Sequence, residues 1–323
     1  MYSSDDHIYI IGSGAIGKAL AVFLRLSGRK ATIIRGSVND GSRKMENIGV
    51  EMPDGQVLEA EVAVTTFSSF PTINGIIVLA TKSFGNGQLA IELKSKAGHS
   101  PIVLLQNGLG IEKPFLELGF QEIYRCVLFV TSQVTGDATV RFKPVASCPV
   151  GIEMGHSDRL QDIVRQLDTP YFSFRTKANI QQIVWEKAIV NCVFNSVCPL
   201  LDTDNGIFYR NDAALEIARR VIGECLLIAH QNGIFLTGNE LEESLLQISR
   251  ASDGQLISTL QDIRAGRQTE IDTLNFEIAA MAAKLGLSHS VRETRLLGEL
   301  TRLKAEQQTG RRITAPAHGY NPR

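Results

Sequence analysis

A chain of 323 residues is long enough for one or two domains and a large hydrophobic core. With 44% hydrophobic residues, 21% charged residues and a formal net charge of −1, it has a globular composition and no electrostatic footprint for nucleic acid or an anionic membrane. No window approaches the ~20 apolar residues of a membrane span, and MYSSDDHIYIIG has no basic n-region, so a cytoplasmic location is expected.

The first half of the chain alternates short apolar runs with helical patterns. IYII (8–11) reads as a strand and runs straight into Gly12-Ser13-Gly14-Ala15-Ile16-Gly17 and a helix over 15–27. ATII (31–34) follows, then a section, 48–64, whose PDG turn between short alternating runs reads as a hairpin insertion. IIVLA (76–80), a helix over 86–97, IVLL (102–105) and IYRCVLFV (123–130) continue the alternation. ATVRF and PVGIE, within 139–153, read as two further strands, antiparallel at the sheet edge. Alternation of this kind predicts an α/β domain of Rossmann type, a doubly wound and mainly parallel sheet. From about residue 177 helical patterns take over, at 179–197, 212–232, 239–249, 255–264, 271–285 and 290–308. The expected organisation is therefore a dinucleotide-binding domain over 1–175, an all-helical domain over 176–315, and an irregular tail over 316–323. Cys126, Cys148, Cys192, Cys198 and Cys225 lie far apart without a CxxC, and the six histidines are scattered. Reduced core cysteines are expected, with no disulfide framework and no metal site.

The glycine run supplies the first chemistry. A bare GxGxxG occurs often by chance, but here it follows the first strand, opens a helix and precedes a second strand. Gly12 permits the tight turn, Gly14 lets backbone approach a pyrophosphate at the helix N-terminus, and Gly17 lets the helix pack closely. The second strand ends at Arg35, with no carboxylate before Asp40. A carboxylate would accept from a ribose 2′-hydroxyl, whereas a guanidinium pairs with a 2′-phosphate, so NADP is expected rather than NAD. Lys82, in ATKSF, and Asn107, in LLQNGLG, follow successive strand ends and should face the same crevice.

In WEKAIVNCVFNSVCPL, Lys187, Asn191 and Asn195 recur every fourth residue on an otherwise apolar helix. Steps of four residues drift by about 40°, so the three side chains form one slanting stripe. An ordinary helix with a narrow solvent edge fits that stripe, and so does the wall of a ligand cleft. A second polar block, STLQDIRAGRQTEID, begins at Ser258 and includes Glu270, and local helix capping accounts for part of it.

Taken in order, GSGAIG, ATKSF, LLQNGLG, WEKAIVNCVFN, DNG and STLQDIRAGRQTEID resemble the ketopantoate reductases over nearly the whole chain. The K-x3-N-x3-N row followed by S-x-x-QD-x-x-x-GR-x-TEID is far more specific than the glycine fingerprint. The resemblance implies that Lys187 is the general acid and that Asn191, Asn195 and Ser258 hold the substrate, with Asn205 of DNG and Asn107 joining them. It places Glu270 near the lysine and the nicotinamide, and it assigns Arg35, Lys82 and Asn107 to the cofactor, with Ser13, Ala15 and Ile16 in the glycine loop. Two positions depart from the family's usual residues. Gln255 stands where Asn is common, three residues before the serine, and Thr131 stands where a small Ala lies against the cofactor.

Chemistry agrees with the resemblance: hydride delivered to a ketone carbon leaves charge on its oxygen, which an ammonium can stabilise and protonate. The leading expectation is NADPH-dependent reduction of 2-dehydropantoate to pantoate. Its alternatives are a related reductase of another 2-oxo or 3-hydroxy acid and a non-catalytic NADP-binding sensor, which would need neither Lys187 nor Glu270. A small-molecule substrate is the expected partner, without nucleic acid or membrane, and a homodimer is left open.

Overall fold

A computed structural model describes residues 6–36 and 38–310, so the expected tail over 316–323 lies outside the described residues. These residues fall into two compact units divided after Val184, within one long helix. The first unit contains β1 (Ile8–Ile11), α1 (Ala15–Leu26), β2 (Ala31–Arg35), β3 (Lys44–Glu51), β4 (Val57–Thr66), β5 (Ile76–Leu79), α2 (Asn86–Lys94) and β6 (Ile102–Leu104). It continues through α3 (Lys113–Glu117), β7 (Ile123–Cys126), β8 (Val130–Val134), β9 (Thr139–Pro144), β10 (Cys148–Met154), α4 (Ser157–Leu167) and β11 (Phe174–Thr176). The helix α5 (Ile180–Leu201) then crosses the division.

The strands β7, β6, β5, β1, β2 and β4 lie side by side and all parallel. Winding changes direction between β1 and β5, the point at which doubly wound sheets bind ligands. Strands β1, β5 and β6 are apolar at almost every position because each face of the sheet is covered by its own core. On one face, α1 is buried from Gly17 to Leu24, packed against β4 and β2 and also against β8 and β9. Gly28, at φ +75°, ends the helix in a conformation that side chains avoid.

Two readings of the strands are corrected. The section 48–64 is a hairpin turning at Asp54 and Gly55, but β4 is no insertion: it pairs parallel with β2 as a full member of the sheet. The run 123–130 is not one strand, and 139–153 does not hold two mutually paired strands. Instead 123–134 and 139–154 form the two arms of one bent hairpin: β10 pairs antiparallel with β7, and β9 antiparallel with β8. At the bend, the Phe129 carbonyl accepts from the N–H groups of Val145 and Ala146, at 2.9 and 3.1 Å. The hairpin's outer half then joins the far edge through a parallel pairing of β9 with β3, which covers α1 with a second layer.

The second unit is helical: the rest of α5, then α6 (Ile207–Arg210), α7 (Asp212–Gln231), α8 (Gly238–Ala251), α9 (Ser258–Arg264), α10 (Asn275–Lys284) and α11 (Arg292–Thr309). Asn211 caps α7 by accepting from the Ala214 N–H at 3.0 Å, and Thr237 with Glu240 forms a capping box on α8. Within α5 every residue from Ala188 to Pro199 except Asn191 is buried, consistent with its apolar circumference. Pro199 cannot donate and the helix ends shortly after it. Near this end the Ser196 carbonyl accepts from the Thr301 hydroxyl at 3.4 Å, and the Pro199 carbonyl from the Lys304 ammonium at 2.5 Å and the Asp202 N–H at 3.2 Å. All five cysteines are buried and unbridged. Among the described residues, no helix is long and apolar enough to cross a membrane.

Candidate active site

In the first unit the three glycines are required for three different reasons. Gly12 has φ +122°, and a Cβ there would lie 2.8 Å from the Ala80 carbonyl carbon and the Thr81 nitrogen, so the loop is pressed against the end of β5. A Cβ on Gly17 would lie 2.0 Å from the Gly12 carbonyl oxygen, which forces glycine where α1 meets its own loop. Around Gly14, by contrast, nothing lies within 4 Å of an added Cβ. Gly14 is the N-cap of α1, no side chain caps that end, and the first turn carries no acid. Open space at the one glycine that must admit a ligand, beside uncapped N–H groups, fits a pyrophosphate. Ser13 is half-buried, and Ala15 and Ile16 begin the helix.

Arg35 closes β2 and donates through Nη2 to Asp40 at 3.0 Å and to the Ser42 hydroxyl. Hydrogen bonds from Ser42, and then the Arg35 charge, hold the Asp40 carboxyl below its ordinary range. Beside Arg35, a cavity of about 380 Å3 is lined by Ser13, Lys18, Lys44 and Glu46 among others. Thus Arg35 does stand next to the glycine loop, but a carboxylate already shares its guanidinium.

The strand-end loops carry Lys82, half-buried after β5, and Asn107, half-buried after β6. Thr131 is exposed on β8, opposite Lys143. Sequence reasoning overlooked the groups beneath these loops. Gln106 and Asn86, 6% and 2% exposed, bond to each other through both amides. Arg125, 2% exposed, donates to Glu112 at 2.7 Å and to the Gly108 carbonyl at 2.9 Å. The signal for Arg125 was present: a guanidinium inside an apolar strand run must be paired. Burial, then the neighbouring Glu112, pushes the Glu153 carboxyl up to about 7, although Arg125 and a hydrogen bond from Gln181 oppose the shift.

In the second unit, the two polar blocks meet. Asn195 on α5 is 3% exposed; its Oδ1 accepts from the Thr259 hydroxyl at 2.7 Å and faces the Ser258 hydroxyl at 3.4 Å. Its Nδ2 donates back to the Asn191 carbonyl at 3.1 Å. The stripe on α5 is therefore anchored to the first residues of α9, and Thr259 is a member that the sequence reading passed over. Lys187 and Asn191 are half-buried on the same helix, while Ser258 is exposed. Asn205 is buried: its N–H donates to the Gln255 carbonyl at 2.9 Å, and its Oδ1 is a buried polar atom without a hydrogen-bond partner among the described residues. Glu270 is 8% exposed, beside the equally buried Thr269, just before a short 3-10 turn at Ile271–Thr273. Of these residues the structure brings together Asn191, Asn195, Ser258 and Thr259, whose amides and exposed hydroxyl can bond a small polar ligand.

Family models described as ketopantoate reductase PanE/ApbA and its C-terminal counterpart match residues 8–158 and 179–304. A 2-dehydropantoate 2-reductase of Pyrococcus horikoshii is 29% identical over 283 residues, which cover 87% of this chain and 92% of that protein. Among solved structures, a PanE/ApbA family ketopantoate reductase from Ralstonia eutropha has a TM-score of 0.81 at 22% identity, covering 94% of this chain and 99% of the other. A D-mandelate dehydrogenase solved with NADH and anilino(oxo)acetate has a TM-score of 0.80 at 21% identity, with the same coverage. Likenesses this remote speak for the fold.

Proposed function

This chain belongs to the ketopantoate reductase family of NAD(P)-dependent oxidoreductases, and we propose that it reduces 2-dehydropantoate to pantoate with NADPH. The observation that carries the reading is the bond from Thr259 to Asn195 at 2.7 Å, with Ser258 at 3.4 Å. It joins the Lys187 helix to the start of the Ser258 helix, the two segments that carry the resemblance to the family.

In this reading Gly12, Gly14 and Gly17 shape the pyrophosphate seat, with the N–H groups at the start of α1 as donors. Lys82 and Asn107 flank the cofactor from the ends of β5 and β6, and Arg35 pairs with the 2′-phosphate once Asp40 releases it. When bound, NADPH supplies the hydride for the 2-oxo carbon. Lys187 gives its proton to the carbonyl oxygen as charge develops there and regains one from solvent. Glu270 orients the ammonium. Asn191 and Ser258 hold the substrate carboxylate and hydroxyl, and the unpartnered Oδ1 of Asn205 offers a further acceptor. Asn195, whose Oδ1 accepts from Thr259 and whose Nδ2 gives one of its two N–H groups to the Asn191 carbonyl, acts on substrate through Ser258.

Asp40 favours a second reading. A carboxylate 3.0 Å from the Arg35 guanidinium could accept from an unphosphorylated ribose, and the chain would then be an NADH-dependent reductase of another 2-oxo acid. Stopped-flow oxidation of NADPH and of NADH, each with 2-dehydropantoate and with simpler 2-oxo acids, separates the two. The proposal expects fastest oxidation with NADPH and 2-dehydropantoate. Turnover with NADH and another acid alone would establish the second reading.

A further inference from the structure

The segment 106–111, which presents Asn107, is tied at both ends by one side chain. Asn86, at the start of α2, donates through Nδ2 to the Gln106 side-chain oxygen at 2.9 Å and to the Ile111 carbonyl at 2.8 Å. Gln106 donates back to Asn86 Oδ1 at 2.7 Å and on to the Thr81 hydroxyl at 3.2 Å, in the loop that carries Lys82. Every N–H of both amides is thereby used, in a place where water cannot substitute. The middle of the segment is fixed from the other side, where Arg125 donates to the Gly108 carbonyl at 2.9 Å while paired with Glu112. Gly108 and Gly110 adopt φ +103° and +67°, so the segment follows a path that depends on these anchors.

We propose that Asn86, through Gln106 and Ile111, is a positioning residue that fixes Asn107 and the Thr81–Lys82 loop in register for the cofactor, with Arg125 holding the opposite side. A buried amide pair that spans two strand-end loops keeps their polar tips placed before a ligand arrives, and such preorganisation lowers the ordering cost of binding. This inference rests on Asn107 serving the site as proposed above.

The test is a double-mutant cycle on the full-length protein between Asn86→Ala and Asn107→Ala, read as KM for the nicotinamide cofactor and as kcat. Asn86→Ala should raise the cofactor KM by about tenfold, leaving the ratio of NADPH to NADH efficiency unchanged because the ribose end is untouched. In the Asn107→Ala background the same substitution should change KM by less than about twofold. Loss of folded protein would lower kcat at constant KM, and that outcome overturns the proposal, as does a full tenfold effect persisting without Asn107. Should Asn107→Ala be impaired while Asn86→Ala is normal, the positioning role falls and the functional reading stands. If Asn107→Ala is itself kinetically silent, Asn107 serves no ligand and both fall. Asn86→Asp is the polar variant: it still accepts from Gln106 but, as a carboxylate, loses the donations to both Gln106 and Ile111. Its amides over 106–111 should exchange hydrogen faster by mass spectrometry in the absence of any ligand, and unchanged protection would contradict the proposal.

Discussion

Replacing Asn195 with alanine removes the joint between α5 and α9. The amide accepts from Thr259 at 2.7 Å and donates to the Asn191 carbonyl at 3.1 Å. Thr259 is 2% exposed, so its hydroxyl cannot turn to water when the acceptor is lost. A buried group left unsatisfied costs about 1–3 kcal/mol, and destabilisation of that size is expected. Ser258 loses its reference point at the same time, and KM for the 2-oxo acid should rise by about tenfold, as for one hydrogen bond to a charged group. Cofactor affinity in the free enzyme should stay within about twofold, because the glycine loop belongs to the other unit. Trp185, the chain's one tryptophan, lies buried on α5 and reports unfolding by its fluorescence in urea. An unchanged urea midpoint together with an unchanged KM would refute the joint.

Three further outcomes follow from single positions. Gly17→Ala should abolish cofactor binding in calorimetry and lower Tm, because its Cβ would meet the Gly12 carbonyl oxygen at 2.0 Å. Arg35→Ala should raise KM for NADPH much more than for NADH, since a guanidinium–phosphate pair exceeds the ~1 kcal/mol of an exposed ion pair; equal effects would mean that Arg35 reads no phosphate. Burial and Glu112 raise Glu153 to about 7. The native state therefore keeps a proton that the unfolded chain releases near the ordinary carboxylate value, about 4.3. Its contribution to stability is complete below that value and declines as pH rises through about 7. Glu153→Gln should flatten the fall in Tm between about pH 4.5 and 7.5 and exceed wild type at pH 8, and parallel curves for the two proteins would contradict the assignment.

The parallel sheet was legible in sequence because its signals are local. IYII, IIVLA and IVLL are buried on both faces and so are apolar throughout, and the glycines of the first loop carry constraints visible as spacing. The bent hairpin was not legible. ATVRF and PVGIE are separated by only a few residues and look like each other's partners, whereas each pairs with a segment of 123–134 across the bend. Pairing is decided by distant contacts that no local pattern records. The same holds for the site. Lys187, Asn191 and Asn195 were found by their period on an apolar helix. Asn86, Gln106 and Thr259 are small polar residues that matter through partners remote in sequence, and nothing beside them marks those partners.

In the proposed reaction Lys187 protonates the oxygen left by hydride transfer. Single-turnover NADPH oxidation at saturating 2-dehydropantoate tests it most directly, comparing wild type with Lys187→Ala and Lys187→Arg. Removing a general acid should slow the hydride-transfer step by about two to four orders of magnitude. NADPH binding should persist, and arginine should restore little of the rate, because guanidinium keeps the charge but is too weak an acid. If Lys187→Ala retains more than about a tenth of the wild-type rate, with hydride transfer shown to be rate-limiting, the proton comes from another group and the account is wrong.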